Sequence, residues 1–141
     1  MDHVVYVDAK AKELEKLLNK SKSMIIRGAA GRKLPHGRVH VGDTLYFINN
    51  NGEGTIKAVG VVNSVFNSDK MDKDQSVALV QANQDKLALS DKQFQRWAGK
   101  RYIVLIEVND VKELEPFEID RSQYGNMDDW LPVEDINNVK K

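Results

Sequence analysis

Apolar residues recur along this chain with two periods, and the switches between them mark its elements. HVVYVDA, residues 3–9, is β-branched and aromatic and reads as a strand. Just after it, Leu14, Leu17 and Leu18 share one helical face, with Asp8 placed to cap that helix. SMII, residues 23–26, reads as a short strand, and the Gly-Ala-Ala-Gly stretch at 28–31 as an irregular loop. TLYFINN, residues 44–50, alternates as a half-buried strand does. NNNGEG is rich in turn residues, and TIKAVGVVNSVF returns from it, so residues 44–66 form an antiparallel hairpin. Gly60, midway along the returning strand, predicts a bulge or sharp bend. Long bent strands of this kind build small barrels.

The second half opens helically. SVALVQANQDKLAL, residues 76–89, is helical in composition, and LSDKQFQRWAGK is a shorter helix. In the latter Ser90 is the N-cap, Phe94 and Trp97 share a face and Gly99 ends it. Trp97 at this spacing is expected in the core. RYIVLIEVNDV, residues 101–111, is a long apolar strand expected near the centre of the sheet, and FEID a further short strand begun by Pro116. The tail, 121–141, carries Trp130 and Leu131 and is expected to pack on the body, making 1–141 one domain. The order β–α–loop–β–β–α–α–β–β lacks the regular alternation of a doubly wound parallel sheet. The expected class is mixed α/β (α+β), a small β-barrel with flanking helices.

Composition narrows the chemistry. A chain of 141 residues suits one core. It has no cysteine, which excludes disulfides, thiolate nucleophiles and cysteine-bound zinc. No apolar run approaches the roughly 18 residues of a membrane span, and the N-terminal residues lack a signal-peptide layout. A cytoplasmic protein with no membrane contact is expected. His3, His36 and His40 show no metal-type spacing with carboxylates, and the adjacent Asp128 and Asp129 lack a third ligand, so neither a metal nor a cofactor is expected.

The formal net charge of +0 conceals a segregation along the chain. Between Glu15 and Asp43 the charged residues are all cationic, while from Glu107 to Asn138 only Lys112 and Arg121 interrupt a run of acids. Such asymmetry fits an anionic partner for the basic segment, or mutual neutralisation of the two segments in the fold.

The basic Gly-rich loop, the following VGDTLYFI and the strand IKAVGVVNSVF resemble the PUA-like barrel superfamily, and within it the ASCH and EVE domains. In those families a Gly-Asp turn commonly starts a barrel strand, and a small-apolar-Gly-Val strand curves across the barrel. A helix ending in an aromatic leads to a central apolar strand, as FQRWAGKRYIVLIEV does here. The resemblance spans about residues 24–116. It implies a PUA/ASCH-like barrel that binds RNA or a modified base, and a few ASCH-like members are hydrolases or nucleases. ASCH domains often carry Gly-x-Lys followed by Glu and Arg. GRKLPHGR supplies Gly31, Lys33 and Arg38 without the Glu, which puts a mechanism needing that carboxylate in doubt.

The expected site follows from phosphate and base chemistry. Glycines let backbone N–H groups approach an anion, and Lys and Arg add charge-assisted hydrogen bonds. Arg27, Arg32, Lys33 and Arg38 are the candidates, with His36 adding a donor. Tyr46 and Phe47 are adjacent on a strand and face opposite ways, so Phe47 is placed inside and Tyr46 toward the ligand as a stacking surface. Asn63 and Ser64 could meet a base edge, while Asn49, Asn50 and Asn51 read as turn residues and Trp130 as the anchor of the tail. The reading is a binding module for RNA or a nucleotide. The alternatives are a small hydrolase or ribonuclease in the same cleft, built on Lys33 or on His36 as general base, and a protein-interaction domain in which the charged segments meet another subunit. The chain shows no complete catalytic constellation.

Overall fold

The computed structural model describes residues 1–125 and 128–141. The strands are β1 (Asp2–Val7), β2 (Met24–Ala29), β3 (Thr44–Asn49), β4 (Thr55–Asn67), β5 (Tyr102–Glu118) and β6 (Trp130–Glu134). The helices are α1 (Glu13–Leu18), α2 (Lys73–Ala82), α3 (Gln84–Leu87) and α4 (Asp91–Trp97), and a 3-10 turn spans Ile136–Asn138. All six strands form one sheet in the order β2-β5-β4-β3-β1-β6, curled into a half-barrel. β1 and β3 are parallel and every other pair is antiparallel. A parallel pair needs a crossover. Here α1, β2 and the basic loop provide it.

The expected hairpin forms, with β3 and β4 paired, and β5 lies beside β4 in the same sheet. Curvature comes from register shifts between β4 and β5, at Ile56/Ala58, Val59/Val61 and Val62/Ser64, with the extra residues in β5 at the first two and in β4 at the third. Gly60 sits in the middle shift. A Cβ there would lie 2.9 Å from Val111 Cγ2 and 3.3 Å from Phe47 Cε2, so the strand can cross its neighbours this closely only with no side chain.

Much of β1, β2 and β3 and the first half of β5 are buried on both faces, so alternate residues feed different clusters. Val5, Ile25, Phe47, Val62 and Ile106 fill the barrel with Leu14 and Leu17 of α1. Met24, Ile26, Ile103 and Leu105 pack under α2–α4 with Val80, Leu87 and Trp97. Val4, Ile48 and Ile56 form a third cluster with Ile119, Leu131, Val133 and Ile136. The tail enters the sheet as β6, beside β1, and Trp130 and Leu131 are each 1% exposed.

Several local expectations need correction. α1 is capped at Lys12, which adopts φ 55 and makes no side-chain cap. Asp8 instead closes the preceding turn, where its Oδ1 accepts from the Ala11 N–H. Gly28 and Ala29 belong to β2, because β5 offers them ladder partners. The helix expected over 76–89 starts earlier, at an Asp72–Gln75 capping box, and breaks at Asn83. FEID is not a separate strand: β5 runs through Pro116 to Glu118 along the hairpin edge. Ser90 caps α4 as expected, in a reciprocal capping box with Gln93.

Candidate nucleic-acid interface

β2 is an edge strand, and the ladder does not join it to β1. Arg27 spans that seam. Its Nη2 donates to the Tyr6 carbonyl at 2.6 Å and its Nη1 to the carbonyl of Ile26 at 2.8 Å. The guanidinium lies 5.6 Å from the Trp130 ring centroid and 5.9 Å from that of Trp97, a packing that suits a weakly hydrated, planar cation. Its Nε is 3.3 Å from Asp129 Oδ2, an ion pair, yet makes no hydrogen bond among the described residues. Arg27 was expected to meet a phosphate from a loop. It is 7% exposed and on a strand.

Arg27 forms part of the wall of a polar cavity of ≈ 160 Å³. Asp8 and Asn50 contribute from the ends of the parallel strands β1 and β3, and the Asn50 Oδ1 accepts from the Ala9 N–H at 3.0 Å. α1 contributes Glu13, and α4 contributes Gln93, Arg96 and Trp97, with the Arg96 guanidinium 4.4 Å from the Trp97 centroid. Trp97 is 8% exposed, in the core as expected, and still reaches the cavity. Behind Glu13 lies Lys22, whose Nζ sits 3.3 Å from Glu13 Oε2 and also donates to the Leu87 carbonyl. Burial pushes the Lys22 ammonium pKa down, and Glu13 opposes that shift.

The basic loop leaves β2 next to this cavity. Arg27 also lines a second, smaller cleft under the loop, together with Gly28, Gly31, Lys33, His36 and Tyr102. The loop is pinned to the strand ends. His36 Nε2 donates to the Ser68 carbonyl at 2.9 Å, and its ring meets Tyr102 edge-on. The Gly37 N–H donates to Asn67 Oδ1, with Gly37 at φ +71, a conformation that favours glycine. Arg32 lies over the Tyr102 ring, 5.7 Å from its centroid. Arg32, Lys33 and Arg38 are exposed, and no ion pair holds them among the described residues.

The other expected residues lie elsewhere. Tyr46 does face away from Phe47, but that face is covered by the third cluster, where Tyr46 packs edge-on against Phe117. Burial raises the Tyr46 phenol pKa, and the Asp2 and Asp135 carboxylates add to that, a poor setting for a phosphate. Asn63 and Ser64 donate to Glu107 Oε2, while Glu107 Oε1 pairs with Lys86. Glu107 pairs with Met24 at the start of β2, whereas the loop leaves from the other end of that strand. Of the segment's remaining cations, Lys16 and Lys20 donate to backbone carbonyls of distant elements. Charge segregation thus has two parts: cations bound within the fold, of which Lys22 and Arg27 are buried, and an exposed set on the loop.

Missed in the sequence were Asp8, Asn50, Gln93, Arg96 and Asp129. One signal was available. Asp8 and Asn50 are the first polar residues beyond two apolar strands, and parallel neighbours bring such ends together. Among the described residues there is no group of three or more His, Asp or Glu that could hold a metal ion.

This curled sheet with a loop-flanked cleft has an ASCH-like fold. The ASCH protein of Zymomonas mobilis superposes with a TM-score of 0.70, over 97% of this chain and 92% of its own, at 12% identity. Two single-residue variants of that protein superpose with a TM-score of 0.67 over 92% of this chain, at 11% identity. The second expected relative, the EVE domain, is not among these neighbours. No family model matches the sequence, and no curated protein does. No helix of the described residues is long and apolar enough to cross a membrane.

Proposed function

We propose that the protein binds RNA or a nucleotide, with phosphate on the loop at Arg32, Lys33 and Arg38 and the base in the cavity beside Trp97. The observation that carries this reading is Arg27, which lines both the polar cavity and the cleft under the loop. A ligand with a charged part and a planar part can thus span the two without crossing the barrel. The charges agree with that division. The cavity holds Asp8, Glu13 and Asp129 against Arg27 and Arg96, an environment that rejects a phosphate, while the loop offers exposed cations. The cavity volume is below the roughly 300–1,000 Å³ of pockets that bury drug-sized molecules, so a heterocycle fits and its sugar and phosphate stay outside. The ASCH-like fold supports the reading through the RNA-binding proteins that share the superfamily. A cytoplasmic location belongs to the same reading. In the ribonuclease alternative His36 is the base; its Nε2 donates to the Ser68 carbonyl, so only Nδ1 could take up a proton. Titration of a fluorescent single-stranded RNA into the protein tests the proposal: saturable binding is expected, and its absence at low salt would refute it.

A further inference from the structure

We infer that the ligand is a single-stranded RNA several nucleotides long rather than a free nucleotide, held by a second set of cations running from the cavity to the loop; this deepens the RNA-binding reading and rests on it. From Lys92 to Ile106 the chain has no acid, and its charged residues are Lys92, Arg96, Lys100 and Arg101. All four are exposed, and no ion pair holds them among the described residues. The fold sets them beside the loop. β2 and β5 are antiparallel, with Ala29 opposite Tyr102 and Gly28 opposite Ile103. The basic loop therefore leaves β2 at the end where β5 starts, and the turn carrying Lys100 and Arg101 enters there. Lys100 crosses Gly28 so closely that a Cβ on the glycine would lie 3.1 Å from Lys100 Cβ. Arg101 precedes Tyr102, the ring beneath Arg32, and its carbonyl accepts from the Met71 N–H at 2.9 Å, which fixes the turn. Arg96 stands at the other end of the row, on the cavity wall against Trp97. Lys92 lies one turn before it on the same face of α4.

The row thus connects the two clefts that share Arg27. One phosphate can meet these cations at only one place along it. The cations left over repel one another, and a chain of phosphates relieves that repulsion at each position. A mononucleotide brings a single phosphate group. A single strand presents one at every step, so one base can enter the cavity while the neighbouring phosphates lie on Lys100, Arg101 and the loop. That base must be unpaired to enter, which favours single strands over duplex. The cations read phosphate, which every nucleotide carries, so this row adds affinity without sequence preference.

The test uses the whole protein and a fluorescent single-stranded RNA of about 12 nucleotides, within the span of single-strand sites. Unlabelled RNA should displace this probe, and AMP should need at least about a tenfold higher concentration, because it makes one phosphate contact where the strand makes several. Lys100→Ala with Arg101→Ala should weaken RNA binding and flatten its salt slope by about 1.4, two contacts at about 0.7 each. Both side chains are exposed, so this variant should keep the wild-type melting curve. The exchange Lys100→Arg with Arg101→Lys keeps both charges and should keep the slope. Lys112→Ala with Lys141→Ala removes two charges from the far stretch of β5 and the tail beside it, and should keep the slope too. A wild-type slope in the Lys100/Arg101 alanine variant, a slope flattened as much by the exchange or the remote variant, or displacement by AMP as effective as by RNA overturns the inference and leaves the loop as the phosphate site. Absence of RNA binding at low salt overturns the functional reading along with it.

Discussion

The indole Nε1 of Trp130 donates a hydrogen bond to Nδ1 of His3 at 3.0 Å, joining residues 127 positions apart. Indole N–H is only a donor, so Nδ1 must accept and the His3 proton sits on Nε2. Nε2 then donates to Asp43 Oδ2 at 2.8 Å. This relay of three buried side chains ties β6 to β1 and to the turn that starts β3. Removing His3 strands both ends. We expect His3→Ala to destabilise the fold by about 1–3 kcal/mol for each buried group left unpaired, measured by urea unfolding. A loss below about 0.5 kcal/mol would show that water replaces the histidine.

The same relay makes stability depend on pH. Burial pushes the His3 pKa below its usual 6.5, and the hydrogen bond and charge of Asp43 only partly oppose this. Protonation would also cost Trp130 its acceptor. Because the folded pKa is depressed, the contribution is fully present above about pH 6.5 and is lost as pH falls from there through the folded pKa. Asp43, despite the opposing effect of burial, is held below its usual value by bonds from His3 and the His40 N–H, so its contribution disappears only at lower pH. Unfolding free energy should thus decline between pH 7 and 5, and His3→Gln should flatten that decline. Unchanged stability over this range would contradict the neutral assignment.

The tail carries a second consequence. Truncation after Gly125 removes β6 with Trp130, Leu131 and Ile136, all buried. Burial of side chains this size is worth about 1.5–3 kcal/mol each. The truncated chain should melt well below the full one or fail to fold, whereas Trp130→Phe should fold and cost less. An unaltered melting curve for the truncated chain would mean that β6 adds nothing.

Glycines divide by what surrounds them. At Gly60 an added Cβ collides with Val111 Cγ2, while at Gly31 it meets nothing within 4 Å. Gly60→Ala should cost about 1–3 kcal/mol through overpacking, and Gly31→Ala should leave stability unchanged. Equal melting temperatures for the two variants would show that β4 can straighten without penalty.

Legibility in the sequence followed the range of the interactions involved. The 44–66 hairpin and the Ser90 cap rest on local pattern, and a glycine inside a strand marked the bend at Gly60 even though the atoms that require it, on Val111 and Phe47, are distant in sequence. The opposite facing of Tyr46 and Phe47 was also readable. Alternation cannot say which outer face another segment will cover, and so Tyr46 was placed at the ligand when the returning β6 and the end of β5 enclose it. Arg27 looked like its loop neighbours because charge is visible in a sequence and burial is not. Its partners, Tyr6, Asp129 and Trp130, come from both ends of the chain. The cavity is built the same way, from single residues on several elements, and only Asp8 and Asn50 left a trace, as polar ends of apolar strands.

Binding of single-stranded RNA as a function of salt, compared between the wild type and the triple variant Arg32→Ala, Lys33→Ala, Arg38→Ala, puts the loop to the test. Each phosphate contact releases counterions and adds about −0.7 to the slope of log affinity against log salt. The wild type should weaken steeply with salt, and the variant should bind less tightly with a slope flatter by about 2. Tyr46→Ala, in its separate cluster, should match the wild type in both. If the triple variant binds with wild-type affinity and slope, these three cations do not hold RNA, and the assignment of the loop as the phosphate site is wrong.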